Sequence, residues 1–214
     1  MAALSQAKTI GGIGAILMLL GVAPAIGWVL AIAGAVMVLI AIKHISDAAA
    51  DPSIFRNMII AVVLAVVGLV VGVAVILSAV LSTFGLAGMA GGLTGLSNLG
   101  NFTRFAPSAG VPPGNWVGLI LGIIAGLAVV WVLLIVSAVF VRMSYGSVAS
   151  KIGVPMFGTA GLLYLIGAAL TIVLVGFLLI FVAEILNIVA FFSIPDQPPQ
   201  PPQPQPMQPQ APPM

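Results

Sequence analysis

Charge is what this sequence has least of. Only 5% of its 214 residues are Asp, Glu, Lys or Arg, whereas soluble domains carry about a quarter. The formal net charge of +2 gives no electrostatic basis for binding nucleic acid. One histidine and four acidic residues also leave little for general acid–base catalysis.

Cysteine is absent altogether, which excludes disulfides, thiol nucleophiles and cysteine-ligated metal sites. His44, Asp47 and Asp51 lie at helical spacing, but metal sites normally recruit ligands from more than one element, and a solvated loop is the better interpretation. The sequence contains no catalytic triad, paired carboxylates or phosphate-binding loop. We predict that the chain is not an enzyme and binds no cofactor or metal.

Apolar residues predominate in the sequence. They make up 62% of the chain. Four long runs contain no charged residue: 9–42, 57–103, 105–141 and 152–183. Because a helix that is apolar on every side is typical of a membrane span, the sequence predicts an all-α, polytopic membrane helix bundle.

We predict five transmembrane helices. They cover residues 8–22, 26–44, 55–81, 116–141 and 157–181, the last extending to 192. Residues 10–42 could instead form one kinked helix, but Gly21 and Pro24 favour a turn between two spans. We also expect the first span to be retained, since cleavage as a signal peptide would leave another apolar run at the new N-terminus.

The last apolar stretch is longer than one span needs. Residues 157–192 would make a helix of about 54 Å, against a hydrocarbon core of about 30 Å. We therefore expect it to protrude or to bend near Gly167 or Gly176.

Two segments outside the spans differ in composition. Residues 82–115 are rich in glycine, which argues against a helix, and they contain the N-glycosylation sequon at Asn101. Residues 196–214 are a Pro/Gln-rich tail that cannot bury a core and is predicted to be disordered. The transmembrane domain is thus residues 1–195.

Glycines recur at helical spacing on two of the predicted spans. Small residues four apart let two helix backbones approach closely, either within one chain or in a dimer, and we favour packing within the chain. The positions are Gly68 and Gly72 on the third span, and Gly114, Gly118, Gly122 and Gly126 on the fourth.

Glu184 is the one acidic residue near a predicted span interior. In a single helix starting at Phe157 it would lie about 10 Å beyond the membrane exit. We therefore predict a hydrated, interfacial Glu184 bonded to Asn187, rather than a proton or cation site.

The orientation follows from the basic residues, which concentrate on the cytoplasmic side of membrane proteins. With five spans one side receives five of them, and Arg104 alone faces the other. The five are Lys8, Lys43, Arg56, Arg142 and Lys151. Four spans would place Lys8 and Arg104 on one side and the other four basic residues on the other. We therefore predict a plasma-membrane protein with a cytoplasmic N-terminus, and with the 82–115 loop and the C-terminal tail outside.

Short motifs at the predicted helix boundaries carry a resemblance to a known family. They are 8–14 (KTIGGIG), 45–47 (ISD), 51–52 (DP), 54–57 (IFRN), 142–145 (RMSY), 157–164 (FGTAGLLY), 166–168 (IGA) and 190–195 (AFFSIP). The chain resembles the family termed domain of unknown function 996, found mainly in archaea. The resemblance implies a membrane fold and implies no catalytic residues.

Two functions from different classes remain open. We favour a structural or accessory membrane protein that contacts the lipid bilayer, other membrane proteins or a second copy of itself. The alternative is a small transporter or channel subunit, which should show polar residues lining a path or glycine-broken spans.

Overall fold

The structure is a computed structural model that describes residues 2–96 and 113–195, with the side chains of 4–84 and 116–195. These residues form helices and no strand. The helices are α1 (Ala2–Leu19), α2 (Gly27–Ala48), α3 (Pro52–Leu96), α4 (Pro113–Ile152), α5 (Pro155–Leu170) and α6 (Val175–Phe192). The predicted all-α membrane bundle is confirmed, with six helices long and apolar enough to cross a membrane instead of five.

The first reversal lies at Pro24, as the sequence predicts. A short 3-10 turn, Leu20–Val22, follows α1, and the chain then folds back into α2. The amide of Ala23 donates to the Leu20 carbonyl and the amide of Gly27 donates to the Ala23 carbonyl, each at 2.9 Å. The two-helix interpretation of residues 10–42 is confirmed.

The second reversal was not predicted and is the main correction. The expected single helix over 157–192 is two antiparallel helices, separated by a 3-10 turn at Thr171–Val173 and by Leu174, whose φ is 62°. The predicted glycines do lie at this point. A Cβ on Gly167 would sit 3.0 Å from the carbonyl oxygen of Gly176, so the bare backbone lets α5 and α6 close on each other.

The third and fourth helices are longer than predicted. Residues 82–96 continue α3, although their glycines argued for a loop, and residues 142–152 continue α4 beyond the predicted end of the fourth span at 141. The hydroxyls of Ser82 and Thr83 donate to the Ala79 carbonyl at 2.9 and 2.8 Å, so these polar groups are satisfied inside the helix. Asn101 and the 196–214 tail lie outside the described residues.

The six helices form three antiparallel hairpins arranged as a ring. Each helix packs against its neighbours in the chain, and α6 closes the ring against α1. The main core lies where α1, α3 and α5 begin and α2, α4 and α6 end; Ile45, Ile54, Phe157 and Phe191 are buried there.

Five basic residues also lie toward this end of the bundle, which we call the charged end. They are Lys8, Lys43, Arg56, Arg142 and Lys151. Leu4 and Ile194 belong to the same core. The described chain therefore begins and finishes at one end of the bundle, whereas five spans required opposite ends.

Candidate functional site

Glu184 is buried inside the bundle. It lies in the middle of α6 with 6% of its surface exposed, because α6 turns back against α5 instead of continuing out of the membrane. The predicted hydrated environment is therefore wrong. Neither oxygen of the carboxylate has a hydrogen-bond partner among the residues that the structure describes.

Asn187 and Tyr145 are the polar neighbours of this carboxylate. Asn187 follows Glu184 by one helical turn, is 1% exposed, and lies near both the Glu184 carboxylate and the Tyr145 hydroxyl. Its Oδ1 also has no hydrogen-bond partner within the described part of the chain. The acid, the amide and the phenol together form a polar cluster, which we call the Glu184 cluster.

Aromatic rings close the cluster toward the charged end. The Tyr145 ring packs edge-on against Phe157 with centroids 5.4 Å apart, and Phe157 packs edge-on against Phe191 at 5.0 Å. These three residues are buried. The rings keep the carboxylate in a surrounding of low polarity, where an isolated charge is costly.

Gly161 lets α5 approach α4 beside the cluster. A Cβ at this position would lie 3.1 Å from the Cα of Arg142 and 3.2 Å from the Cβ of Tyr145. The Tyr145 side chain can therefore keep its position against α5 because Gly161 has no Cβ.

Sequence reasoning did not select Tyr145 because residues 142–155 were interpreted as a loop. One signal was available. Ser144, Tyr145 and Val148 continue the inward-facing pattern of α4 beyond Arg142, and all three are buried.

The predicted packing glycines of α3 and α4 are largely brought together. A Cβ on Gly126 would lie 2.9 Å from the Gly72 carbonyl oxygen, Gly122 lies against Ala79, and Gly68 lies against Leu133. Gly118, in contrast, has no atom within 4 Å of its Cβ position among the described residues. Gly114 belongs to α4, but its surroundings lie outside the described side chains.

The polar segment between α2 and α3 serves as a helix cap. The Oδ1 of Asp51 accepts hydrogen bonds from the Ser53 hydroxyl at 2.6 Å and from the Ser53 amide at 3.0 Å, with Pro52 as the first residue of α3. Within the described ranges no group of three His, Cys, Asp or Glu side chains could hold a metal ion.

Comparison with known proteins places these observations in a family without an assigned activity. A family model described as "Protein of unknown function (DUF996)" matches residues 30–185. An uncharacterized protein of Methanocaldococcus jannaschii is 37% identical over 194 residues, which cover 91% of this chain and 94% of that protein. No solved structure matches the chain.

Proposed function

Because the chain belongs to DUF996, a family of proteins of unknown function, we propose its role from its own geometry: it is an integral membrane protein that binds a proton or a small monovalent cation at Glu184. The unpartnered, buried carboxylate carries this proposal. An ionised carboxylate in a nonpolar interior needs a proton or a positive partner. The described residues supply neither a lysine nor an arginine to it.

The composition of the Glu184 cluster suits a small cation. Both carboxylate oxygens and the Asn187 Oδ1 are acceptors without hydrogen-bond partners in the described ranges, and oxygen ligands are the kind that hard cations prefer. Ionisable residues inside membrane bundles typically mark ion paths or proton relays. The proposal therefore belongs to the class of small transporters and channel subunits.

A structural or accessory role is the second candidate. The close backbone contact of α3 with α4 through Gly72 and Gly126 is what a rigid membrane scaffold requires. In this role the chain carries out no reaction, and its partners are lipid, other membrane proteins or a second copy of itself.

We further propose that the charged end faces the cytoplasm, with the protein in the plasma membrane. The five basic residues at this end support the orientation through the positive-inside bias. Since the chain leaves α6 at the same end as α1 begins, the proposal puts the C-terminal tail in the cytoplasm. This replaces the external tail expected from five spans.

Under this proposal α3 and α4 run from one membrane interface to the other. At 1.5 Å per residue, Arg56 and Phe84 are about 42 Å apart, and Arg142 and Trp116 about 39 Å apart. A bilayer including its interfaces is about 40–45 Å thick. The Trp116 and Phe84 rings meet edge-on at 5.7 Å, which suits an aromatic anchor at the outer interface.

The other two hairpins are built of shorter helices, of 16 to 22 residues against 45 and 40 in α3 and α4. Their turns are apolar and exposed, with Val22 at 78% and Leu174 at 74%, and water would not favour such surfaces. We propose that α1–α2 and α5–α6 enter the membrane from the cytoplasmic side and turn back inside it. The turn hydrogen bonds at Ala23, Gly27 and Leu174 support this, since backbone groups in lipid must be satisfied internally.

The test of the Glu184 proposal is ligand-dependent stability in the purified protein. Thermal unfolding is measured in detergent at constant ionic strength with NaCl, KCl or N-methylglucamine chloride, at about pH 8 and about pH 6. A ligand that binds only the folded state raises the melting temperature. We expect stabilisation by one of the small cations or by acid, and its loss in Glu184→Gln.

The matched control is Asp47→Asn, which removes the same charge from an exposed position on α2. This variant should keep the wild-type response. An identical response to cations and pH in wild type and Glu184→Gln would contradict the proposal and favour the structural role. Cation or proton uptake into liposomes, lost in Glu184→Gln, would assign the site to transport.

A further inference from the structure

A second polar site lies on the outside of the bundle, in a groove between α3 and α4 at the charged end. It has a volume of about 730 Å³ and opens to the surroundings. We call it the Arg56–Arg142 groove. Its polar lining is Ser53, Arg56, Asn57, Arg142, Ser147 and Ser150.

The two arginines form no direct ion pair within the described part of the chain, and Asp51 has only a weak charge interaction with Arg56. Among the described residues, no carboxylate forms an ion pair or hydrogen bond with either guanidinium. The nearby Asp51 directs its carboxylate to Ser53 instead. Arginine presents a planar set of donors that matches phosphate oxygens, so the groove has unsatisfied capacity for an anion.

Asn57 adds a fixed polar group to the groove. It is 8% exposed, and its side chain makes no hydrogen bond to the described residues. It is held beside Arg56 on α3, next to the helix contact where the Ser144 hydroxyl donates to the Ile54 carbonyl at 2.8 Å. Asn57 therefore lies beside a direct contact between α3 and α4.

The remaining wall of the groove is apolar. Val139 and Met143 of α4 and Leu165 of α5 supply it. Arg142 lies where the charge-free run of α4 finishes, which is the expected level of the lipid headgroups. Basic residues at headgroup depth beside an apolar wall are typical of a lipid-phosphate site between transmembrane helices.

We propose that the Arg56–Arg142 groove binds the phosphate headgroup of an anionic membrane lipid. The two guanidinium groups contact the phosphate oxygens, the Asn57 amide donates to the headgroup, and one acyl chain lies against Val139, Met143 and Leu165. The site is separate from the Glu184 cluster, which faces the interior of the bundle.

The experiment measures lipid retained by the full-length protein. Purified protein is incubated with phosphatidylglycerol, phosphatidylcholine or inorganic phosphate in detergent, and bound lipid is counted by native mass spectrometry alongside the melting temperature. We expect phosphatidylglycerol to bind and to raise the melting temperature, with at least tenfold weaker binding in Arg56→Gln/Arg142→Gln. Arg56→Lys/Arg142→Lys should recover part of the affinity, because the charge is kept but the planar donor set is lost.

Two controls separate this site from other basic positions. Lys43→Gln removes an exposed charge from the same end of the bundle, where Lys43 lies 6.0 Å from the Phe55 ring, outside the groove. Glu184→Gln tests independence from the interior site. Both variants should bind phosphatidylglycerol as the wild type does.

Three results would overturn the proposal. The first is an equal loss of binding in Lys43→Gln, which would indicate non-specific attraction. The second is equal stabilisation by inorganic phosphate, which would identify a free anion as the ligand. The third is undiminished binding in the double glutamine variant. Since both arginines are exposed, this variant should fold, and the single variants Arg56→Gln and Arg142→Gln repeat the test with less change.

Discussion

The indole Nε1 of Trp131 donates a hydrogen bond to the carbonyl oxygen of Ala169 at 3.3 Å. This contact joins the far end of α5 to a point about 17 Å from Arg142 along α4, which is close to the middle of a bilayer. Beyond it α4 continues for about 22 Å to Trp116 with no charged residue. The α5–α6 turn therefore falls well short of the level that Trp116 marks.

Cysteine accessibility tests the depth of the two short hairpins. The native chain has no cysteine, so single cysteines at Val22 and Leu174 can be probed without background. We expect both to resist a membrane-impermeant thiol reagent from either side, because their turns lie within the apolar layer. A cysteine at Gly153 should react only from the cytoplasmic side, and one at Ser108 only from outside.

Two labelling results would contradict this prediction. Reaction of Val22→Cys and Leu174→Cys in intact cells would show that all six helices cross the membrane. Reaction of Gly153→Cys in intact cells would instead reverse the orientation.

The position of the tail is a second prediction. The described residues form an even number of helices and finish beside their start, so we expect a cysteine at Ala211 to be protected in intact cells and to react after permeabilisation. Labelling of Ala211→Cys in intact cells would show that the tail lies outside, and it would contradict the proposed arrangement of α6.

The sequence predicted one of the two short reversals and missed the other for a physical reason. Gly21 and Pro24 mark the α1–α2 turn, since proline cannot continue the interior of a helix. The α5–α6 turn is Thr-Ile-Val-Leu, with a leucine in the left-handed region. Turns in water are recognised by polar residues and glycine, and a turn surrounded by lipid is under no selection for polar side chains.

That missed turn also explains the error at Glu184. Its depth was estimated by counting along one straight helix from Phe157, which carried the carboxylate out of the membrane. Once the chain reverses at Leu174, the same count brings Glu184 back beside Tyr145 of α4. Contacts between helices distant in sequence, unlike apolar periodicity, leave no local signal.

Stability should depend on pH through Asp51, which lies between α2 and α3. The hydrogen bonds from the Ser53 hydroxyl and amide hold the pKa of the Asp51 carboxyl below its ordinary value of 3.8, and Lys151 and Arg56 add a weaker effect. A group whose pKa is lowered by folding contributes its full stability above the ordinary value and loses it as the pH falls through the lowered one. Asp51→Asn should therefore melt below the wild type at about pH 6, with the difference shrinking toward about pH 3.

Melting curves across that pH range check this prediction. Asp47→Asn is the control, since Asp47 is exposed and its carboxylate makes no hydrogen bond to the described residues. This control should show no pH-dependent difference from the wild type. A deficit of Asp51→Asn that stays constant down to about pH 3 would mean that the cap does not depend on the charge of Asp51.

The glycines of α4 provide a matched pair for the contact between α3 and α4. Gly126 and Gly118 lie two turns apart on one helix, so replacement by valine changes helix propensity by a similar amount at either position. At Gly126 the new Cβ would approach the Gly72 carbonyl oxygen at 2.9 Å, whereas at Gly118 no described atom lies within 4 Å. Overpacking a close contact typically costs about 1–3 kcal/mol. We expect Gly126→Val to melt in detergent at a clearly lower temperature than Gly118→Val, while Gly118→Val stays near the wild type.

If the two variants melted at the same temperature, the α3–α4 contact at Gly126 would not contribute to stability. If Gly118→Val were the weaker protein, or lost a dimer that Gly126→Val keeps, the exposed end of the stripe would be an interface with a second copy of the chain.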